Sequence, residues 1–582
     1  MKREYYQKKS ENFKEELIVT NKKSQMISLI RFIVFVTFAI CLMIALYDRE
    51  LIFLIPAFIF FVGFICLVII HARVEWQIKK LTSSLEISNN YLKRFDYQWQ
   101  EFTNKGEQFI ENASFICRDL DIIGKNSLFQ YLNLANSNKG QEKLFNSLNA
   151  NEISNNSEAI HELATKQDLH LELASLINMY DYDKADLILN DENRLNKLTR
   201  KIYYFIAYIY PILILLNLLL VIINVLPIIY LVIMLVINAL IILARFSANK
   251  DYLSSIHKNH GNLDVVLRVI KKLEENEYET EKLKDIKDVL TSEFIASKSI
   301  NSLVRLKERL ESQSNVLMYL LAQIFLMWDY RNVVYFDTWK DKSGKNAQKY
   351  LDIFYDIEMM LSLGVIEQTK EQVTSANVKV DNYPHYKAIG LYHPLLNNEN
   401  VIANDFNCLD QTTIITGSNM SGKTTFIRSI GINLVLAYSG AYVCAQEFNV
   451  SLMKVFTSIR VEDNLNDGIS TFYAEINRIK EMIEYEKNGQ PMLCLIDEIF
   501  KGTNSEDRIY GAQKAITQLT KPYCITLITT HDAKLCELEN ISNYHFEEYY
   551  DNDKIKFDYQ IHSGTSKTRN AKYLLKMAGI ID

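Results

Sequence analysis

The sequence TTIITGSNMSGKTT, residues 412–425, decides the fold of the last third of this 582-residue chain. Its first residues, Thr412 to Ile415, form an apolar run of the strand type, and a helical pattern opens at Thr425. The loop between them has the form G-x-x-x-x-G-K-[ST], whose backbone N–H groups cradle phosphate at the N-terminus of a helix. The stretch therefore predicts a strand, a phosphate-binding (Walker A) loop and a helix, in that order.

The residues of this loop and of the first helical turn form one continuous nucleotide-binding set. They are Gly417, Ser418, Asn419, Met420, Ser421, Gly422, Lys423, Thr424 and Thr425. We expect Lys423 to neutralise the β- and γ-phosphates during binding and reaction, and Thr424 to ligate Mg²⁺. The pattern thus predicts ATP and Mg²⁺ as ligands.

Two further apolar runs end in polar side chains that suit phosphate chemistry. The run Leu493 to Ile496 is followed by Asp497 and Glu498. Asp497 suits a Mg²⁺ ion held through water, and Glu498 suits a base that polarises the attacking water. A third run leads into His531, which at the C-terminal edge of a sheet could sense the γ-phosphate.

From about residue 377 onward, short β-rich runs alternate with helical stretches. The clearest of these runs are Gln411 to Thr416, Met492 to Ile496 and Cys524 to Thr529. Such alternation is typical of an α/β domain with a largely parallel sheet, which we place at residues 377–582.

Two long apolar regions break the pattern of a soluble protein. The first runs from Phe32 to Tyr47 and from Leu51 to Ile70, and the second runs from Ile202 to Ala244 without a charged residue. A membrane-spanning helix needs about 20 apolar residues, so each region predicts two spans, with the second turn near Asn224 to Pro227. A buried core helix or a signal peptide would be shorter.

Basic residues flank both apolar regions on their outer sides. They are Lys22, Lys23, Arg31, Arg73, Lys79, Lys80, Arg200, Lys201, Arg245 and Lys250. The positive-inside rule then predicts a multi-pass protein of the inner (cytoplasmic) membrane, with both termini and the α/β domain in the cytoplasm. The eight cysteines form no C-x-x-C pair, which favours a reducing compartment.

The rest of the chain reads as helical. A heptad seam runs from Val74 to Phe102 in steps of four and three, and it could pack on a partner chain or within its own bundle. The predicted organisation is a cytoplasmic arm (1–31), a transmembrane hairpin (32–70), a helical segment (71–201), a second transmembrane hairpin (202–244), a helical continuation (245–376) and the α/β domain (377–582).

Several motifs of the last third together resemble the MutS family of DNA mismatch repair ATPases. They are, in chain order, Thr416–Thr425, Ala437–Ala445, Asp463–Glu475, Asp497–Thr503 and Thr529–His531. The similarity extends upstream through His393-Pro394 and Ile402 to Asn404. Residues 120–173 show a weaker resemblance to the start of the helical MutS core, which makes 71–201 a MutS-core-like segment.

This resemblance implies a fold in which an α-helical, membrane-inserted N-terminal region precedes an α/β ABC-type P-loop ATPase domain. It also implies a homodimer with composite ATP sites. In that family the Ser of the signature loop, here Ser470, completes the nucleotide site of the partner subunit. The resemblance thus assigns Ser470 as catalytic beside Glu498, His531 and Lys423, and it implies an interaction with DNA.

The sequence also departs from the MutS pattern. It leaves no room for the N-terminal mismatch-reading domain, and the Phe-x-Glu signature of that domain occurs only at residues 13–15 and 546–548, which we interpret as chance. Val401 stands where the family has an aromatic residue that stacks on adenine, which leaves base selectivity open. Residues 566–570 replace the usual Ser-Lys-Ser-Tyr-Gly, and the C-terminal helix-turn-helix extension is missing or minimal.

Two functions therefore stay open. One is an ATP-hydrolysing, DNA-interacting MutS-like protein tethered to the membrane, without a strong mismatch preference. The other is a membrane-associated MutS-type ATPase that acts on a protein or lipid partner without DNA. The net charge of −6 provides no global basic field, and the cluster Lys298, Arg305, Lys307 and Arg309 suits a solvated helix surface. An ABC transporter fits poorly, because four spans interrupted by a helical core offer little for a substrate pathway.

Overall fold

The computed structural model describes most of the chain. The described residues are 2–47, 50–149, 153–181, 194–257, 262–292, 295–311, 316–397, 399, 401–409, 412–460, 471–500, 505–551 and 554–565. They form a helical region up to residue 369 and an α/β region from residue 377.

The helical region contains long helices that bear the apolar stretches and shorter helices that build a core. In chain order they are α1 (Lys2–Tyr47), α2 (Leu54–Phe95), α3 (Phe115–Asp119), α4 (Leu128–Leu132), α5 (Asn138–Asn149), α6 (Ser157–Thr165), α7 (Gln167–Ile177), α8 (Lys197–Tyr204), α9 (Tyr210–Ile222), α10 (Ile228–His257), α11 (Asn262–Glu275), α12 (Glu281–Thr291), α13 (Ala296–Glu311), α14 (Val316–Leu326), α15 (Trp328–Leu363) and α16 (Val365–Thr369).

Helix α1 runs straight through residue 31, where the sequence predicted the end of a separate arm. The first 47 residues contain neither glycine nor proline, so nothing in the chain interrupts the helix where its composition changes from polar to apolar. Helix α2 packs antiparallel along α1, and at the far end Tyr6 stacks on Tyr91 with ring centroids 4.2 Å apart. The first hairpin is therefore one continuous two-helix stalk.

The heptad seam of α2 coincides only in part with the buried face of the helix. Val74 and Ser88 are at most 3% exposed, whereas Leu81 and Leu85 are half-buried, and α2 contacts α1 and α7. The last predicted members lie beyond the helix, which ends at Phe95. Part of the seam therefore packs within its own chain, and a coiled coil with a partner chain stays a prediction.

Four helical stretches in the described part of the chain are long and apolar enough to cross a membrane. They are Lys2–Tyr47, Leu54–Phe95, Lys197–Ile222 and Ile228–Leu253, and only 6 to 22% of their apolar windows is buried inside the protein. The second hairpin turns between α9 and α10, where Asn224 adopts the left-handed conformation with φ 59°. This confirms the predicted turn position.

The described part of the α/β region contains two sheets and three α-helices. Its strands are β1 (Asn377–Lys379), β2 (His385–Leu391), β3 (Asn404–Leu409), β4 (Thr412–Thr416), β5 (Glu447–Ser451), β6 (Lys454–Ser458), β7 (Met492–Asp497), β8 (Cys524–Thr529), β9 (Ile541–Asp551) and β10 (Lys554–Ser563). Its helices are α17 (Lys423–Ser439), α18 (Thr471–Glu486) and α19 (Ser505–Leu519).

The larger sheet has six strands in the order β10-β9-β4-β8-β7-β6. All neighbours pair in parallel except β10 with β9. Strands β4 and β8 are buried along their whole length, as expected for apolar runs at the centre of a parallel sheet. The prediction of a largely parallel sheet is confirmed.

A second sheet of four strands, in the order β1-β5-β2-β3, was not predicted from the sequence. Its pairs are antiparallel except for β1 with β5. Its strands alternate buried and exposed residues, so they lack the continuous apolar runs that identified β4, β7 and β8. The buried core continues from the helical region into this sheet.

Candidate functional site

The glycine-rich loop joins β4 to α17 at the edge of the six-stranded sheet. Gly417 and Gly422 have φ values of 147° and 109°, in the region that side chains rarely adopt. A Cβ atom on Gly417 would lie 2.8 Å from Ser421 Oγ and 3.0 Å from the Phe546 carbonyl oxygen. Helix α17 begins at Lys423, two residues earlier than the sequence predicted, because Gly422 already turns the chain at the N-cap.

The side chain of Lys423 bonds to the backbone of this loop. Its Nζ atom donates hydrogen bonds to the carbonyl oxygens of Gly417 at 2.8 Å and of Ser418 at 2.7 Å. The hydroxyl of Ser421 is buried and has no hydrogen-bond partner among the described residues. A buried, unpaired hydroxyl at a helix N-terminus is a donor that an anionic ligand would satisfy.

Two oxygen ligands of the kind that Mg²⁺ prefers meet below the loop. Thr424 Oγ1 donates to Asp497 Oδ2 at 2.8 Å, and Thr529 Oγ1 donates to the other carboxylate oxygen. Asp497 ends β7, which pairs with β8, and β8 pairs with β4. The parallel order of the strands therefore brings Thr424 and Asp497 together from positions 73 residues apart.

Glu498 and His531 are in contact at the same edge of the sheet. His531 Nε2 lies 3.1 Å from Glu498 Oε1 and 2.9 Å from Asn419 Oδ1. The backbone N–H of Glu498 donates to the carbonyl and the hydroxyl of Thr529, at 3.1 and 3.0 Å, and Glu498 adopts φ 53°. A glutamate held in this conformation is unusual, and the neighbouring strand β8 keeps it there.

A cavity of about 460 Å³ opens beside the loop. Its lining includes loop residues, Glu498, His393 of the upstream His393-Pro394 motif, and three aromatic side chains that the sequence did not assign to the site, namely Tyr392, Phe546 and Tyr559. Tyr559 lies against Gly422, since its Cδ1 would be 3.3 Å from a Cβ placed there. The site thus has aromatic walls, although Val401 replaces the aromatic residue expected upstream.

The sequence does not identify Glu548 as a site residue, because residues 546–548 match only the mismatch signature, and that match is interpreted as chance. Ser418 Oγ donates a hydrogen bond to Glu548 Oε2, and Glu548 is 7% exposed. The hairpin of β9 and β10 brings both Phe546 and Tyr559 to the loop. No sequence signal marks this hairpin, because aromatic and acidic residues are common in strands that are partly exposed.

His393 lies at the rim of the cavity and is buried. Burial, together with the positive charges of Arg428 and Lys370, lowers the pKa of His393 to about 3. Its Nδ1 atom accepts a hydrogen bond from the backbone N–H of Leu395 at 3.2 Å, which requires the unprotonated nitrogen. The ring is therefore neutral and part of the frame of the site.

The residues present fit a nucleotide with Mg²⁺, but they would not hold the metal alone. Across the described ranges, no group of three or more His, Cys, Asp or Glu side chains is arranged to bind a metal ion. A site with one carboxylate and one hydroxyl suits Mg²⁺, which takes its other ligands from phosphate and water.

Three predicted parts of the site lie outside the described residues. They are most of the motif Asp463–Glu475 with Ser470, the segment 501–503, and the segment 566–570. The structure brings together the other predicted residues, including Lys423, Thr424, Asp497, Glu498 and His531.

Comparison with known proteins places this region in context. Residues 413–581 match the family model of MutS domain V. MutS protein homolog 4 of Mus musculus is 32% identical over 204 residues, which cover 32% of this chain and 21% of that protein. The Homo sapiens protein of the same name is 31% identical over 205 residues (32% and 22%). DNA mismatch repair protein MutS of Thermotoga petrophila is 30% identical over 199 residues (33% and 25%). The matched region thus spans about a quarter or less of the length of these relatives.

Proposed function

Because the last third of the chain belongs to the MutS family, we propose that the protein binds and hydrolyses ATP at the loop 417–422 and the adjoining ends of β4, β7 and β8. One observation carries the proposal. Three distant chain segments bring a lysine, a hydroxyl, two carboxylates and a histidine to one edge of a parallel sheet. Ligands of open α/β sheets bind at this edge.

Phosphate binding is the role of the loop and the start of α17. The first N–H groups of a helix lack partners within it, and the helix dipole adds partial positive charge there. The buried Ser421 hydroxyl adds a further donor. Lys423 supplies a full positive charge, and its present bonds to two loop carbonyls can be exchanged for bonds to phosphate oxygens. Ser418, Asn419, Met420 and Thr425 contribute backbone groups.

Thr424 and Asp497 are the residues that would hold Mg²⁺. When bound, this ion neutralises charge on the β- and γ-phosphates. Asp497 is already aligned for this role by its hydrogen bonds from Thr424 and Thr529.

Water activation is the role of Glu498. Its carboxylate accepts a proton from the attacking water, and the imidazole of His531 orients the carboxylate through the 3.1 Å contact. The contact from His531 to Asn419 ties this pair to the phosphate loop, so that a change at the phosphate reaches the base.

We also propose the two-chain arrangement that the MutS resemblance implies. Ser470 of one chain would face the ATP held by Lys423 of the other chain, where its hydroxyl stabilises negative charge. Each active unit would then be a homodimer with two composite sites.

The four apolar helices support a tether to the inner membrane with both termini in the cytoplasm. In this proposal residues 32–70 and 202–244 are membrane hairpins, 71–201 and 245–376 form the helical core, and 377–582 is the ATPase domain. Reporter domains fused within residues 224–227 should face outward, and a reporter after residue 582 should face the cytoplasm. Outward location of the C-terminal reporter would refute this topology.

DNA is the proposed partner on the strength of the family resemblance, and a protein or lipid partner is the alternative. In the local basic cluster, Lys307 is 8% exposed and pairs with Asp264 at 2.5 Å. Arg309 contacts the ring of Tyr335 at 4.7 Å, and its side chain is exposed, as are those of Lys298 and Arg305. The cluster therefore offers three exposed charges to a phosphate backbone.

A salt-titrated DNA-binding assay on the detergent-solubilised protein separates the two functions. If DNA is the partner, affinity should fall steeply with salt and differ little between matched and mismatched duplexes. Absence of binding at low salt would favour the protein or lipid partner. ATP binding is tested separately with Lys423→Ala, which should lose nucleotide, against the exposed control Lys534→Ala, which should retain it.

A further inference from the structure

Helix α14 lies against the second apolar hairpin and shares its character. It has 11 residues without one charge, and it contacts α9, α10 and α15. Leu320 and Leu321 are 50% and 43% exposed, beside the exposed apolar faces of α9 and α10. At 11 residues it is too short to span a bilayer, so its length alone does not identify it as a membrane segment.

A hydrogen bond fixes the depth of this helix relative to α10. Asn238 Nδ2 donates to the carbonyl oxygen of Ile324, in the last turn of α14, at 2.7 Å. Asn238 lies ten residues beyond Ile228, the first residue of α10. At about 1.5 Å per residue this is about 15 Å from the outer end of the helix, or half of the ~30 Å hydrocarbon core.

The chain then turns back toward the cytoplasmic side. Met327 reverses its direction with φ 48°, and α15 begins at the next residue. Tyr330 donates to the Ile241 carbonyl at 2.9 Å, and Arg331 Nε donates to the Ala207 carbonyl at 3.1 Å. Both acceptors lie closer to the basic inner ends of the spans than Asn238 does. Helix α14 therefore enters and α15 leaves on the same side.

Three polar side chains at this turn bond to one another inside the protein. Gln323 donates to the Tyr319 hydroxyl at 2.7 Å, and that hydroxyl donates to Asp329 at 2.7 Å. The Gln323 side-chain oxygen accepts from the Asp329 backbone N–H at 3.3 Å. Gln323, Met327 and Asp329 are at most 7% exposed. Irregular backbone at membrane depth is tolerated only where protein buries it in this way.

From these observations we propose that α14 and the first turn of α15 form a re-entrant membrane hairpin whose exposed leucines contact lipid acyl chains. The inference rests on the proposed membrane insertion of α9 and α10. The occupant is lipid because α14 contacts those two helices and, like them, exposes apolar side chains. Helix α15 leads through α16 into the α/β region, so this hairpin joins the membrane directly to the proposed ATPase.

Fluorescence quenching on the full chain in liposomes tests this inference. Single cysteines replace Leu320, Leu321, Leu216 on α9 or Tyr510 on α19, in a background with Cys41, Cys66 and Cys536 changed to alanine. Each cysteine carries a bimane label. Phosphatidylcholine with brominated acyl chains quenches labels in the hydrocarbon, and iodide quenches labels in water.

Labels at Leu320 and Leu321 should behave like the label at Leu216, with strong quenching by brominated lipid and little by iodide. The label at Tyr510 should show the reverse. If Leu216 is quenched by lipid but both α14 labels follow Tyr510, the re-entrant hairpin is refuted and the membrane tether survives. Quenching of Leu216 by iodide would refute the tether itself. Protection of the α14 labels from both quenchers would mean that protein, such as a second copy of the chain, covers this face, and lipid contact would be wrong.

Discussion

Glu498 combines a strained backbone with a directed side chain. Its φ of 53° costs a non-glycine residue roughly 1 kcal/mol or more. The two hydrogen bonds from its N–H to Thr529 hold this conformation, and the carboxylate reaches His531 as a result. Strain of this kind persists where the surrounding structure over-determines it, which is common at functional sites. At the scale of residues, β8 thus determines the position of Glu498 as much as β7 does.

Two buried histidines should make the stability of the protein depend on pH. Burial lowers the pKa of His170 to about 4 and, with Arg428 and Lys370, that of His393 to about 3, against about 6.5 in the unfolded chain. Because both folded pKa values are lowered, the unfolded chain binds more protons below pH 6.5. Stability is therefore complete above pH 6.5 and falls as the pH drops toward 4, by up to about 1.4 kcal/mol per pH unit and histidine.

Denaturant unfolding of the solubilised protein at pH 7.5 and 5.0 measures this loss. His170→Gln and His393→Asn keep a hydrogen-bond acceptor but do not titrate, so the double variant should lose less stability between the two pH values. An unchanged pH dependence in the double variant would contradict the assignment.

At the scale of elements, the turn after α3 joins the helical core to the α/β region. Asp119 is fully buried and accepts hydrogen bonds from the backbone N–H groups of Ile459 and Arg460 and from Arg478, at 3.0, 3.2 and 2.9 Å. These donors lie just before and just after the segment 461–470. Asp121 also bonds Arg428 of α17 at 3.0 Å. One turn of the core thus contacts both sides of the proposed signature segment and the phosphate-loop helix.

Removal of the Asp119 carboxylate should destabilise the protein strongly. Asp119→Ala leaves Arg478 and two backbone donors unpaired in a buried place, which should lower the free energy of unfolding by about 3 kcal/mol. The control Asp288→Ala, on the exposed face of α12, should change it by less than about 0.5 kcal/mol. Equal unfolding midpoints for the two variants would show that the Asp119 contacts contribute little.

The elements that sequence could predict are those with a strong local signal. Composition alone identifies strands such as Met492 to Ile496 and the long apolar hairpins. Helix α14 cannot be identified in this way, because a run of 11 apolar residues also fits a helix of the protein core. Its position along α10 follows from the hydrogen bond that Asn238 donates to it. Glu548 and Tyr559 could not be found either, because the pairing of β9 with β4 that brings them to the loop is a long-range contact.

At the scale of the whole molecule, the proposed dimer takes the signature residue and the phosphate loop of one site from different chains. Mixing two inactive variants, Lys423→Ala and Ser470→Arg, should therefore restore activity. In a mixed dimer one composite site carries both changes and the other carries neither, so up to about half of the activity per mixed dimer should return. If subunit exchange is confirmed and mixing restores nothing, the trans arrangement is wrong.

Helices connect the proposed membrane tether to the proposed ATP site within the same molecule. Lys2, at the start of α1, donates to the carbonyl oxygens of Glu367 and Lys370 at the end of α16, at 2.5 and 2.9 Å. Tyr6 donates to Gln368 at 2.8 Å. The stalk of the first hairpin and the end of α16 thus meet where the chain enters the α/β region. This junction therefore links the proposed membrane tether to the proposed ATP site.

The central claim is that the site at the edge of the six-stranded sheet hydrolyses ATP, and Glu498→Gln in the full-length, membrane-reconstituted protein tests it most directly. This variant should bind ATP like the wild type but hydrolyse it ~10²–10⁴-fold more slowly, because it keeps the phosphate loop and loses the base. The exposed control Glu539→Gln should keep the wild-type rate. Undiminished hydrolysis by Glu498→Gln, or no Mg²⁺-dependent hydrolysis by the wild-type protein, would contradict the account.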